Sequence, residues 1–392
     1  MLSFDVIALI VLVGFLSIFL YKKREDVDIE KIIFPILYMI MYRAKWGIKF
    51  MSKFAEKHKK FLNILQYISI GVGIVSILFI SVLLTITTID LIRQPTETMQ
   101  GVGVVLPVET SWSFYVPFMY FILCITYLMI VHEGMHGIFM KYFGLKIKNT
   151  GFAFFSFLLP ILPGAFVEPD EEELENAPLK DKLAILSGGS FANIISAFMF
   201  LLISFLLVSA SNPFTDSDIR ITNVIEDTPA YHANVTPSLL KGVTYNNTYY
   251  ETNDLDEYLE LTEKFRPNDT LIIHTNESNK TLVLSTHPQH EDRGYMGLNF
   301  ESEMFLKEEY SQFQIPFNAF NWIMGLLFWL FLINFGVGMF NLLPMGPVDG
   351  GQMLRSILNE YVPEKKSKII FSVVSWFFFG LVLFNIFYPI FF

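Results

Sequence analysis

Six apolar runs constrain this chain more than any other feature. They cover residues 4–21, 62–89, 114–143, 183–210, 316–345 and 369–390. A bilayer core takes roughly 20 apolar residues of helix to cross. No water is available there to satisfy backbone N–H and C=O groups, so only helices and closed barrels span it. Runs of this length are therefore read as helices. With 53% hydrophobic and only 17% charged residues, the chain is not a soluble enzyme. The expected fold is a polytopic α-helical membrane protein with about six transmembrane helices. Run 4–21 is too long for the apolar part of a signal peptide and has no small-residue cleavage site, so it is read as a retained span.

The net charge of -10 conceals two opposite segments. Residues 22–60 hold 11 Lys/Arg against 5 Asp/Glu, whereas residues 211–309 hold 18 Asp/Glu against 7 Lys/Arg. Short basic loops stay in the cytoplasm. Six spans then place loops 22–60, 141–182 and 355–368 on that side and the acidic segment on the other. Residues 35–60 read as a basic amphipathic helix on the cytoplasmic bilayer surface. Short β-rich runs at 219–225, 270–275 and 280–285 flank a helical run at 254–265. They predict an inserted extracytoplasmic α+β domain. Sequons at Asn234, Asn246, Asn268, Asn276 and Asn279 cluster there, in keeping with that side. Four parts are expected: 1–113, with N-terminal spans and the basic surface segment; 114–210, the first half of a core; 211–313, the α+β domain; and 314–392, the second half. The bilayer is the expected partner, and no nucleic-acid partner is expected.

The chemistry is concentrated near the end of the third run, in His132-Glu133-Gly134-Met135-His136. Four residues apart on a helix, the two histidines share a face. That spacing suits one Zn²⁺, with Glu133 beside it as general base. Two histidines and a carboxylate can meet by chance, but ionisable groups at membrane depth cost roughly 2.5–3.5 kcal/mol each and are rarely idle. A single cysteine, Cys124, excludes a cysteine-based metal site. Further along, Asn341-Leu-Leu-Pro344-Met-Gly-Pro347-Val-Asp349-Gly350-Gly351 breaks the fifth run around one carboxylate. Asp349 is read either as a helix cap or as the third ligand that the histidine pair lacks; span parity brings it to the same depth. Asn193, and with it Asn341, is a candidate donor to a reacting carbonyl. Residues 151–167 are apolar but broken by Pro160, Pro163 and Gly164. They predict a re-entrant hairpin beside the histidines, because irregular backbone at membrane depth must be covered by protein or a wet cavity. A transporter binding a passing ion is the competing reading, and a catalytically inactive scaffold of the same fold is a third. No inverted repeat is visible, and a transporter has no need of Glu133 as a base.

Taken together, these motifs resemble the site-2 proteases, intramembrane zinc metalloproteases of peptidase family M50. His132-Glu133-x-x-His136 resembles the family's zinc helix. Gly189-Ser-Phe-Ala-Asn193 resembles its G-P-x-x-N element, with Ser190 where proline usually stands. The run from Asn341 through Asp349 to Gly350 resembles its N-x-x-P-x-x-P-x-D-G element, and Pro163 to Val167 its re-entrant hairpin. The resemblance implies one Zn²⁺ held by His132, His136 and Asp349, with Glu133, Asn193 and Asn341 as catalytic residues. It also implies cleavage of single-span membrane-protein substrates near the cytoplasmic side. The insert resembles a PDZ domain at Ile219 to Ala230, Arg266-Pro-Asn-Asp-Thr270 and Gly294-Tyr-Met-Gly297, which implies capture of peptide termini. Asn234 stands where such domains have glycine.

Overall fold

A computed structural model describes residues 4–33, 37–93, 103–107, 113–157, 159–252, 255–288 and 290–391. The chain opens with α1 (Phe4–Lys22), a β1–β2 hairpin (Val27–Ile33, Leu37–Ala44), α2 (Ile48–Lys57) and α3 (Lys59–Arg93). A small parallel pair, β3 (Val104–Leu106) and β4 (Ser113–Tyr115), precedes α4 (Phe118–Tyr142). Next come the hairpin strands β5 (Ile147–Phe157) and β6 (Leu159–Pro169), short α5 (Glu171–Glu175) and α6 (Leu179–Ser211). Beyond the insert lie α9 (Gln314–Phe340), α10 (Asp349–Tyr361) and α11 (Glu364–Phe391).

Six of these helices are long and apolar enough to cross a membrane: α1, α3, α4, α6, α9 and α11. They coincide with the six apolar runs, so this is a polytopic helical membrane protein. Burial is greatest in α4, α6 and α9 and least in α1 and α11. The outer helices carry bare Ile, Leu, Val and Phe side chains, such as Val11, Phe15, Val75 and Val373, that suit lipid rather than water. The inner helices meet through small residues, which let backbones approach closely. A Cβ on Gly338 of α9 would lie 3.2 Å from Asn193 Cβ, and one on Gly188 of α6 would lie 2.6 Å from the Phe139 ring of α4.

The expected helix over 35–60 is corrected. Residues 37–44 form β2, and only Ile48–Lys57 is helical. Strand β2 pairs with β1 on one side and β5 on the other, with Tyr42 opposite Phe152, in a four-stranded sheet ordered β1-β2-β5-β6. The sequence carried a local signal, since Val27-Asp-Ile-Glu alternates apolar with polar residues, as a half-buried strand does. Arg43, counted there as surface charge, instead ties the sheet together through Asp28 of β1 and Glu168 of β6. The hairpin β5–β6 occupies the stretch expected to be re-entrant. Ala153 and Phe154 are buried, and Phe154 packs with Leu20 of α1 and Tyr42. After it, the acidic run becomes α5, capped by Asp170, which accepts from Glu173 N–H at 3.4 Å. That hydrogen bond holds the Asp170 carboxyl below its ordinary value.

Phe205–Trp322 forms a second compact unit. It holds β7 (Thr215–Val224), α7 (Pro229–His232), β8 (Leu239–Tyr245), β9 (Thr248–Glu251), α8 (Leu255–Thr262), β10 (Thr270–Thr275) and β11 (Asn279–Val283). The short pair β12 (Ser285–Thr286) and β13 (Gly294–Tyr295) then leads into β14 (Leu298–Leu306). The main sheet runs β11-β10-β8-β7-β14, with β9 beside β8. Ile219, Ile221, Leu271 and Ile273 alternate inward from β7 and β10 and pack with Tyr258 and Phe265. Burying each such aliphatic side chain contributes about 1.5–3 kcal/mol. Asn234 has φ +54°, in the left-handed region that asparagine enters more readily than most side chains.

Candidate metal centre

Helix α4 brings His132 and His136 onto one buried face, with their Nε2 atoms 3.1 Å apart. Each ring is held from behind. His136 Nδ1 lies 2.6 Å from the Ile185 carbonyl oxygen of α6. A carbonyl only accepts, so Nδ1 carries the proton and Nε2 turns its lone pair inward. His132 Nδ1 lies 3.0 Å from the Asn193 side-chain amide of α6. Placed with its nitrogen on that contact, Asn193 leaves a buried Oδ1 without a partner. Exchanging the amide's oxygen and nitrogen lets Oδ1 accept from His132 Nδ1–H, which frees the second Nε2.

Asp349 arrives from the first turn of α10. Its Oδ2 lies 3.4 Å from His132 Nε2 and 3.5 Å from His136 Nε2. Ser190 Oγ of α6 donates to the same Oδ2 at 3.1 Å. The turn that delivers Asp349 is closed by Gly350 N–H donating to the Asn341 carbonyl at 2.8 Å. Glycine is required there, because a Cβ on Gly350 would lie 2.6 Å from the Leu343 oxygen. A triangle with sides of 3.1, 3.4 and 3.5 Å has its centre about 1.9 Å from each corner, against roughly 2.0–2.2 Å for zinc–nitrogen and zinc–oxygen bonds. The three donors are therefore spaced as a set that would hold such an ion. These three residues are the metal-competent cluster found among the described residues.

Glu133 faces a different neighbour. One of its carboxylate oxygens accepts from Val167 N–H of β6 at 3.0 Å. Val167 pairs opposite Thr150 of β5 but sends its N–H away from that strand. This N–H thus lies on the outer edge of β6, the last strand of its sheet. The carboxylate stands where an open sheet edge meets the His–His–Asp cluster.

The Asn193 side chain is fully buried and lies against the rear nitrogen of His132. There it orients His132. Asn341 is half-buried, and its side chain makes no hydrogen bond among the described residues. Ser190 gained no role from the sequence, where it stood only as a departure from a motif. Ile185 and Val167 act through backbone atoms and carry no side-chain signal at all.

The comparisons bear on the same stretch of chain. Residues 120–383 match the family model described as Peptidase family M50. The chain belongs to peptidase family M50. It is thus a metalloprotease of the site-2 protease type, from a family of zinc enzymes, and the three ligand candidates of this M50 chain lie inside the matched span. It is also 27% identical over 362 residues to Uncharacterized protein MJ0971 of Methanocaldococcus jannaschii, covering 91% of this chain and 86% of that protein.

Proposed function

We propose that this protein is a zinc endopeptidase that cuts single-span membrane proteins within or beside their transmembrane segments, as in regulated intramembrane proteolysis. The observation that carries the reading is the placement of Glu133 between a His–His–Asp cluster and an open strand edge. His132, His136 and Asp349 would hold the zinc ion. When bound, it supplies Lewis acidity towards the scissile carbonyl and lowers the pKa of a water. Glu133 would accept a proton from the attacking water and pass it to the leaving amine. The β5–β6 hairpin is the re-entrant element, and its outer edge receives an unwound substrate as an added strand. Helical substrate backbone shields its own carbonyls, so this unwinding is a precondition for attack. The Asn341 side chain, which has no hydrogen-bond partner among the described residues, donates to the oxyanion. The 205–322 unit is PDZ-like and extracytoplasmic. It gates substrates by their termini, while the metal centre opens towards the cytoplasm.

Glu133→Gln is the decisive variant. Glutamine keeps an oxygen for Val167 N–H but cannot accept a proton at neutral pH. The variant should bind zinc as the parent does and fail to cleave a model single-span substrate. Equal zinc and equal cleavage in both proteins would sink the proposal.

A further inference from the structure

Helix α2 presents a cationic face that the fold does not use. Lys45, Lys49, Lys53, Lys57, Lys59 and Lys60 are all exposed, with Glu56 the one acid among them. None of the six makes an ion pair among the described residues, although lysines elsewhere in the chain do. Lys49, Lys53 and Lys57 are spaced by four and form one stripe. The opposite face is already occupied, since Met51 and Ala55 are buried against Phe139 and Ile147. Trp46 and Phe50 flank the stripe at 60% and 66% exposure.

We propose that this face of α2 is a docking surface for anionic phospholipid headgroups. Two observations favour lipid over an acidic protein. Only His58 separates α2 from the spanning helix α3, so the stripe lies at the level where lipid meets water. Bare aromatic rings beside the cations are the pattern of a membrane interface, and an acidic peptide would leave them uncovered. The surface is mechanically linked to the metal centre. The Met51 side chain rests on Gly137, the residue after His136, so lipid holding α2 also braces that end of α4. The proposal does not depend on the protease reading.

The test uses the full chain in neutral maltoside detergent, with an environment-sensitive fluorophore on Glu56→Cys. Labelling is selective because the native Cys124 is buried. Phosphatidylglycerol and phosphatidylcholine are titrated in turn. Three lysines at an anionic surface predict a preference for phosphatidylglycerol on the order of a hundredfold, which high salt removes. The triple variant Lys49→Gln, Lys53→Gln, Lys57→Gln loses the preference, and the matching arginine variant keeps it. Equal midpoints for the two lipids would overturn the proposal, as would a preference that survives the glutamine changes. A polyglutamate peptide that binds the labelled chain and is not displaced by phosphatidylglycerol would assign the face to an acidic protein instead.

Discussion

Gly189→Ala should weaken metal binding without unfolding the protein. A Cβ at this position would lie 2.8 Å from His136 Cε1, 2.9 Å from His132 Cε1 and closer still to His136 Nε2. Ordinary carbon contacts begin near 3.4 Å, so something must move by about half an ångström. The imidazoles cannot retreat freely, because His136 is tied to the Ile185 carbonyl and His132 to Asn193. Helix α6 also packs closely on α9, where a Cβ on Gly338 would lie 3.2 Å from Ser190 O and Asn193 Cβ. Overpacking of this kind costs about 1–3 kcal/mol. Falling on the ligands themselves, that is roughly a 5- to 150-fold loss of zinc affinity, at about 1.4 kcal/mol per tenfold. Competition with a chromophoric chelator on the detergent-solubilised full chain measures it. Two controls separate the ligand effect from general strain. Gly188→Ala strikes Phe139 and Met135, not the histidines, and Gly134→Ala on α4 meets nothing within 4 Å. Gly134→Ala should bind zinc as the parent does. A folded Gly189→Ala protein with zinc affinity within twofold of the parent would refute the account of the site as a close-packed cradle.

Ser190→Ala removes the side-chain hydroxyl that donates to Asp349 Oδ2 and should cost about tenfold in zinc affinity, read by the same competition. Asn193→Ala leaves His132 Nδ1 without its partner and should cost about 10- to 100-fold, with little change in the far-UV dichroism of the helices. Removing the metal should lower the melting temperature, because its ligands join α4 to α10. At a thousandfold excess over the dissociation constant the ion stabilises by about 4 kcal/mol, and a melting temperature indifferent to chelator would contradict this. In the β-rich unit, Asn234→Gly should be nearly neutral and Asn234→Val should destabilise by about 1–2 kcal/mol, seen as faster amide exchange in β7 and β8.

The spans were readable because a bilayer admits few solutions: an apolar run of sufficient length is a helix whatever its neighbours do. The β1–β2 hairpin was not. Its second strand, Leu-Tyr-Met-Ile-Met-Tyr-Arg-Ala, is apolar on both faces and flanked by lysines, so local pattern pointed to an amphipathic surface segment. What makes it a strand is pairing with β5, over 100 residues away. Arg43 was misread for the same reason, since its carboxylate partners, Asp28 and Glu168, come from the two edge strands.

At the metal centre the side chains were legible and their supports were not. His132, Glu133, His136 and Asp349 are residue types that announce metal chemistry. The groups that aim them are largely backbone atoms: the Ile185 carbonyl behind His136, the Val167 N–H on Glu133, and the Asn341 carbonyl that closes the turn before Asp349. Every residue type except proline offers both of these atoms, so sequence cannot mark which one is used. What sequence does mark is the space such contacts require. Gly189 is glycine because two imidazoles occupy the place of its side chain, and Gly350 because the turn's own carbonyls do. Gly189 and Gly350 are the imprint of the site on α6 and α10. A metal centre built from distant helices is recorded in its ligands and, as plainly, in the side chains that had to be left out.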